Sequence, residues 1–238
     1  MIVSCLAERS SMKHPRHRQS KRPRAHSVQH AKDTKRETIL YAVLKQVPFD
    51  GWTTVAYERG LKVSGISQGE ADLLLPQGMR DIIDLFGVVA DQAMEEKISD
   101  EPGFSHLRIR EKIAFAVRAR LQFLMPHREA LRRLMIWYAL PHHVPLGLKR
   151  LYRIVDLMWR TAGDTSTDFN FYTKRALLAG VLKTTILFWL DDDTPNCSAS
   201  WEFLDRRIAE VLKIGKTISL MKEWSPTDLV SKLRRAVG

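Results

Sequence analysis

The sequence contains only two cysteines, Cys5 and Cys197, among its 238 residues. Two isolated thiols provide no disulfide framework, so a reducing compartment is expected. Long apolar runs are also missing. The most apolar stretch, residues 176–190, is fifteen residues long and contains Lys183, whereas a membrane-spanning helix needs about 20 apolar residues. The sequence therefore predicts no membrane-spanning helix.

Residue sets that bind metals are equally scarce. Glu-x-x-His pairs, which supply ligands in di-iron carboxylate proteins, do not occur in the sequence, and this excludes such an enzyme on ligand count. His142 and His143 are adjacent, so on a helix they would point about 100° apart. The acidic run 191–193 follows a predicted helix and is interpreted as a solvated loop or a partner contact. We therefore expect no metal and no catalytic cofactor.

Positive charge is abundant but unevenly distributed. The first 37 residues carry ten Lys and Arg against three Asp and Glu, so seven of the eleven net positive charges lie there. Because this stretch has few apolar side chains, we expect a disordered basic tail over residues 1–36. Its Arg- and Ser-rich composition leaves open a transit segment or an extended start. The remaining chain is nearly neutral, so its charge does not imply nucleic-acid binding.

From Thr38 onward, apolar residues recur at spacings of three and four, as in the run Ile113, Val117 and Leu121. Proline and glycine fall between these runs, and alternating strand patterns are absent. The sequence predicts an all-α fold. Its predicted parts are the basic tail (1–36), a helix-turn-helix-like unit (37–85), a larger helical body (86–222) and a short C-terminal helix (223–238).

The N-terminal unit has the outline of a helix-turn-helix. Predicted helices near residues 53–59 and 67–75 are joined by the Gly-containing segment 60–65. In a DNA-binding protein the second helix would enter the major groove, but here it carries Glu70 and Asp72 and no Lys or Arg. Because carboxylates repel phosphates, we expect no specific nucleic-acid binding.

Residues 65–69 match the G-x-S-x-G pattern of hydrolase nucleophiles. In hydrolases that pattern follows a strand, whereas the segment before it here is predicted to be helical. We interpret Ser67 as the N-cap of the second helix, with Glu70 completing a capping box. No catalytic residue is predicted.

The segment 163–175 carries more aromatic and charged residues than a helix boundary needs. Gly163 can end one helix, and Thr165 with Asp168 can cap the next. Aromatic side chains mixed with arginine and amide groups are typical of interaction hot spots. Aromatic side chains packed into the core with the charges outside remain the alternative. From this composition we predict a partner-binding surface, the junction patch, which consists of Trp159, Asp164, Asp168, Asn170, Phe171, Tyr172, Lys174 and Arg175.

The last residues have the pattern of a short basic amphipathic helix. Ser225 can be its N-cap, with Pro226 at the first helical position. An apolar face flanked by basic residues suits an anionic membrane surface, although a surface helix packed on its own domain remains open. The predicted membrane-contact residues are Leu229, Val230, Lys232, Leu233, Arg234 and Arg235.

Several uninterrupted segments resemble one known family. Residues 156–176, DLMWRTAGDTSTDFNFYTKRA, resemble the signature of the TetR-like lipid-binding proteins of ubiquinone (coenzyme Q) biosynthesis, and shorter matches follow in one order between residues 39 and 216. The resemblance implies a TetR-like homodimer, without enzymatic activity, whose pocket binds an isoprenoid or quinone-precursor lipid. It also implies that the protein presents this lipid to the di-iron hydroxylase of the pathway at a membrane surface.

By the same resemblance, the junction patch would contact the hydroxylase. Pocket walls are expected from the apolar faces of the helical body, including Met135, Tyr138, Val155, Met158 and Leu182. We expect a peripheral position on the bacterial inner membrane, facing the cytoplasm, with the matrix side of the mitochondrial inner membrane as the alternative. The alternative function is a TetR-type transcription regulator with a hydrophobic effector.

Overall fold

The computed structural model describes residues 23–165 and 169–223, and within these ranges the chain forms helices and turns without a β-strand. The helices of the described part, in chain order, are α1 (Pro23–Leu44), α2 (Val47–Asp50), α3 (Thr54–Ser64), α4 (Gln68–Leu74), α5 (Met79–Ser99), α6 (Ile109–Leu124), α7 (Arg128–Ala139), α8 (Val144–Thr161), α9 (Phe169–Leu190) and α10 (Ser198–Glu223). Short 3-10 turns occur at Phe104–His106, Met125–His127 and Pro195–Cys197. The predicted all-α class is confirmed.

The first helix begins well before the predicted position. The prediction of a disordered tail through residue 36 is wrong for residues 23–36, which are helical; residues 1–22 lie outside the described part. Ile39 is fully buried in the second half of α1, and a helix that is already nucleated extends at little further cost. In addition, Lys35 Nζ lies 2.5 Å from a carboxylate oxygen of Glu70 on α4, which holds the polar part of α1 in place.

The predicted helix-turn-helix is present as α3 and α4, joined by residues 65–67. The turn is shorter than predicted because α3 continues past Gly60 to Ser64. Gly60 instead allows α3 to pack closely on α1, since a Cβ atom there would come within 2.4 Å of a Val43 methyl carbon. Ser67 is the N-cap of α4, as predicted, since its Oγ accepts a hydrogen bond from the Glu70 backbone N–H at 3.3 Å. The Glu70 carboxylate is engaged by α1, so the predicted capping box is only half formed.

Helices α5 to α10 form the larger body around a continuous apolar core. The boundary predicted at residue 85 lies inside α5, which also contacts α1, so the two units share this helix. Trp52 ties them together, because its Nε1 donates a hydrogen bond to the Ala130 carbonyl oxygen of α7 at 3.0 Å. The largest fully buried side chains of the body include Met94, Leu121, Met158, Leu182, Trp189 and Leu204. None of the helices in the described ranges is long and apolar enough to cross a membrane.

Candidate functional site

A cavity of about 300 Å³ lies inside the helical body. Helices α5 to α9 contribute its lining, and most of the lining side chains are apolar, among them Ile83, Phe86, Leu131, Leu134, Leu151 and Ile186. Gly147 lets α8 approach α7 closely, because a Cβ atom there would lie 3.1 Å from the Cβ of Tyr138. The cavity is therefore an apolar space built at the junction of several helices, a place where small-molecule sites commonly occur.

Three of the five predicted pocket residues line this cavity: Met135, Tyr138 and Leu182. Val155 and Met158 do not, since both are buried in the core of the body, away from the lining. Helix α8 instead lines the cavity with residues 144, 147, 148, 150, 151 and 154. The helical period identifies a buried face, but it does not distinguish a position facing a void from one facing a packed neighbour.

The lining also contains three cations: the exposed Lys183, and the buried Arg120 and Arg150, which bind the same carboxylate and which we call the arginine end of the cavity. Arg120 of α6 and Arg150 of α8 both belong to the lining, yet their residues are only 5% and 7% exposed. Each donates a hydrogen bond to a different carboxylate oxygen of Asp91 on α5. Burial lowers the pKa of Arg120 to about 10, an effect that Asp91 partly opposes. The Arg120 guanidinium group therefore stays protonated at neutral pH.

This arginine pair was not predicted from the sequence. The hydrogen bonds join residues 29 and 59 positions apart, so no local spacing indicates the contact. The available signal was an arginine, Arg120, directly before the core residue Leu121 in an apolar run. A cation at a core-facing position is rare unless it has a partner, and that alone marked the position as unusual.

The junction patch has its charges inside rather than outside. Arg175 is 4% exposed; its Nε donates a hydrogen bond to Asp156 at 2.8 Å, and its Nη1 donates to the Phe171 carbonyl oxygen at 3.2 Å. Nη1 also lies 3.4 Å from Oδ2 of Asp164, whose side chain is 4% exposed as well. Direct contact with a partner is not available to side chains buried this deeply. The predicted contact role of Arg175 and Asp164 is therefore corrected to an internal one.

Two further residues of the patch brace the same junction. Trp159 Nε1 donates a hydrogen bond to the Lys174 carbonyl oxygen at 3.2 Å. The Lys174 ammonium group lies 2.8 Å from Oδ1 of Asp164 and 5.5 Å from the centroid of the Trp159 ring. These contacts join the end of α8 to the first turns of α9, and they use both the indole N–H and the ammonium group within the protein.

Among the patch side chains that the structure describes, Tyr172 is the most exposed, and its residue surface is 67% accessible. Its ring packs edge-on against the half-buried Phe171, with 5.1 Å between the centroids. Phe171 in turn stacks on the Arg175 guanidinium, whose central carbon lies 3.3 Å from the ring centroid. Asn170 lies in the first turn of α9 and its side chain is not described, while Asp168 lies outside the described residues.

The acidic run after α9 is a structural turn. Asp192 is buried, and its carboxylate accepts hydrogen bonds from the backbone N–H and hydroxyl groups of Thr194 and Ser200. Burial raises the pKa of Asp192, but the hydrogen bonds from Ser200 and Thr194 outweigh it and lower the pKa to about 2. Across residues 23–165 and 169–223, no group of three His, Cys, Asp or Glu side chains is arranged to hold a metal.

The predicted membrane-contact residues of the C-terminal helix, between Leu229 and Arg235, lie outside the described residues. On the helix-turn-helix, α4 carries Glu70 and Asp72 together with Leu73, which is exposed. The accessible surface of this helix is therefore acidic and apolar, and the prediction of no specific nucleic-acid binding stays a prediction.

Comparison with known proteins adds relatives and a structural neighbour. Residues 144–215 match the COQ9 family model. The chain is 35% identical over 190 residues to the "Ubiquinone biosynthesis protein COQ9, mitochondrial" of Bos taurus, covering 77% of this chain and 59% of that protein. The protein of the same name in Homo sapiens is 34% identical with the same coverage. The chain thus spans about three fifths of the length of these curated relatives.

Among solved structures, the chain is similar to a TetR transcriptional regulator from Nitrosomonas europaea, with a TM-score of 0.63 and 20% sequence identity. The match covers 74% of this chain and 97% of the regulator. At this identity the similarity concerns the fold alone, and it confirms the predicted TetR-like arrangement.

Proposed function

Since the chain contains a COQ9 family domain, as the resemblance at residues 156–176 predicted, we propose that it is a non-catalytic auxiliary protein of ubiquinone biosynthesis. It binds an isoprenoid or quinone-precursor lipid and presents that lipid to a di-iron hydroxylase at a membrane surface. The observation that carries the proposal is the apolar cavity of about 300 Å³ inside a TetR-like body. Small-molecule sites occupy roughly 300–1,000 Å³, so the cavity is large enough for a slender ligand.

The junction patch supports the contact with the hydroxylase through Tyr172. An exposed tyrosine that rests on a rigid base loses little conformational entropy on binding, and such residues often dominate interfaces. Here the base is Phe171 with the buried Arg175, which is itself held by Asp156 and Asp164. The buried charges thus orient the aromatic surface, and the aromatic surface makes the contact.

The relatives from Bos taurus and Homo sapiens are named as mitochondrial proteins. Their names support a mitochondrial site of action for this chain, ahead of the cytoplasmic face of a bacterial inner membrane. Within the mitochondrion we propose the matrix side of the inner membrane. We include a homodimer in the proposal, because the family resemblance implies one.

Mass spectrometry of organic extracts from the purified protein tests the lipid-binding part of the proposal. We expect an isoprenoid lipid in extracts of the wild-type protein and less of it from an Ala139→Trp variant, because Ala139 is an exposed residue of the cavity lining and the larger ring would obstruct the cavity there. An Ala31→Trp variant is the matched control, since Ala31 is exposed on α1. Recovery of no lipid from the wild type, together with normal ubiquinone levels in a deletion strain, would refute the proposal.

A gel-shift assay separates this proposal from the transcription-regulator alternative. Because α4 presents Glu70 and Asp72 and no basic side chain, we expect only non-specific binding to genomic fragments, which weakens steeply as salt is raised. A complex that selects one fragment and survives at about 200 mM salt would favour the regulator instead.

A further inference from the structure

The arginine end of the cavity contains more positive than negative charge. Arg120 and Arg150 share a single carboxylate, that of Asp91, so the buried cluster has a net charge of +1. Two guanidinium groups carry ten N–H donors, whereas one carboxylate accepts about four hydrogen bonds. Among the described residues, the buried Nε of Arg150 has no hydrogen-bond partner. A buried cluster with spare donors and spare charge is costly unless something else compensates it.

Arg150 also borders a second pocket of about 70 Å³ that shares Ile83, Tyr138 and Arg150 with the cavity. The charged residues of this second pocket, which we call the basic pocket, are Arg80, Asp84, Lys149, Arg150 and Arg153. Four cations against one carboxylate make its potential positive. The basic pocket and the apolar cavity thus meet at Arg150, with opposite chemical character on the two sides.

Gly87 of α5 leaves space for the Arg150 guanidinium group. A Cβ atom at Gly87 would lie 2.4 Å from Nε and 2.5 Å from Cζ of Arg150, so a larger residue there would collide with the guanidinium group. Gly87 lines the cavity as well. The guanidinium is therefore seated against the backbone of α5, where its planar fork has a defined orientation, rather than being free to fold into solvent.

We propose that the arginine end of the cavity binds the oxyanion head, a phosphate or carboxylate, of a lipid whose apolar chain fills the cavity. The inference rests on the proposed function, because it requires that the cavity holds a lipid. A neutral isoprenoid would satisfy the apolar wall but would leave the excess charge of Arg120 and Arg150 uncompensated. Arginine forms strong, charge-assisted and often bidentate hydrogen bonds with phosphate and carboxylate oxygens.

Isothermal titration of the full chain with three probes tests this inference. The probes are geranyl diphosphate, geraniol, which has the same chain and no charge, and inorganic diphosphate, which has no chain. We expect geranyl diphosphate to bind at least about tenfold more tightly than geraniol, the gain typical of one charge-assisted hydrogen bond. Inorganic diphosphate should bind at least about tenfold more weakly than geranyl diphosphate, because it buries no apolar surface.

An Arg150→Met variant should lose the preference for geranyl diphosphate over geraniol, with both affinities measured in the same variant. Asp91 keeps Arg120 as its partner in this variant. Arg118→Met is the matched control, since Arg118 lies on the same helix as Arg120 but pairs with Asp205 and lines neither pocket. If Arg150→Met does not fold, Lys149→Gln combined with Arg153→Gln replaces it, because both residues are exposed. This double variant should weaken geranyl diphosphate binding severalfold.

The outcomes separate the two proposals. Equal affinities of the wild type for geraniol and geranyl diphosphate would overturn the proposed recognition of the head group, while the proposal that the cavity binds a lipid would stand. An unchanged preference for geranyl diphosphate in the variants would have the same consequence. Binding of neither isoprenoid would overturn both proposals. Inorganic diphosphate binding as tightly as geranyl diphosphate would identify a site for free anions and overturn the assignment to a lipid head.

Discussion

Arg175 of α9 pairs with Asp164 of the loop that follows α8. Nη1 of the arginine lies 3.4 Å from Oδ2 of the aspartate, and both side chains are 4% exposed. The pair lies within the segment that most strongly resembles the family signature. Its position explains why a helix junction carries so many charged residues: Arg175 also pairs with Asp156, and Lys174 also pairs with Asp164. The charges hold the junction together, and Tyr172 is left on the surface.

Removing the buried cation should destabilise the protein. We expect Arg175→Ala to lower the free energy of unfolding by about 2–3 kcal/mol, because Asp156 and Asp164 would lose their buried partner and keep only the more exposed Arg160 and Lys174. Urea denaturation followed by circular dichroism measures the change. Arg160→Ala is the control: Arg160 also pairs with Asp156, but its side chain is 64% exposed, so its loss should cost at most about 1 kcal/mol. Equal effects of the two substitutions would contradict the internal role of Arg175.

Replacing the exposed Tyr172 should leave the stability of the protein nearly unchanged and weaken its binding to the hydroxylase. We expect Tyr172→Ala to change the free energy of unfolding by no more than about 0.5 kcal/mol, as is usual for surface positions. Its affinity for the di-iron hydroxylase should fall about 30-fold, the effect of losing a hot spot worth about 2 kcal/mol. Co-purification and surface plasmon resonance measure the loss. Tyr152→Ala, at an exposed tyrosine on α8, should bind normally; if only this control lost binding, the interface would lie on α8.

Acid should weaken the turn after α9 through Asp192. Its pKa of about 2 in the folded protein is below the ordinary value of 3.8, so the ionised carboxylate favours folding. That contribution is complete above about pH 4 and is lost as the pH falls towards 2. We expect unfolding free energies, measured by urea titration at several pH values in this window, to fall more steeply for the wild type than for Asp192→Asn. Asp193→Asn, at an exposed position, should follow the wild type.

Membrane docking by the C-terminal helix stays a prediction from the sequence. We expect the full chain to co-sediment with vesicles containing anionic phospholipid and to be released when salt is raised, because basic residues and an apolar face both contribute. Leu229→Glu combined with Leu233→Glu should abolish sedimentation. Thr227→Glu combined with Ser231→Glu adds the same charge while keeping the leucines and should retain part of it. Identical losses in both variants would show that charge alone drives binding.

Much of the architecture could be predicted because its causes are local. The spacing of apolar residues indicates helices directly, and Ser67 is an N-cap because the residues next to it fix that geometry. The start of α1 could not be predicted in this way, because its causes are not local. Residues 23–36 look disordered alone, and their helix depends on the buried Ile39 and on the ion pair between Lys35 and Glu70. These contacts join parts of the chain that composition treats separately.

The helical class, the family resemblance and the position of the junction patch could be predicted from the amino-acid sequence, because each depends on neighbouring residues along the chain. Which patch residues face inward depends on tertiary packing, since Arg175 is buried against carboxylates from α8 and from the loop after it. Tertiary packing also brings Arg120, Arg150 and Asp91 together from three helices at one end of the cavity. Helix periodicity specifies a face, whereas packing specifies what that face meets.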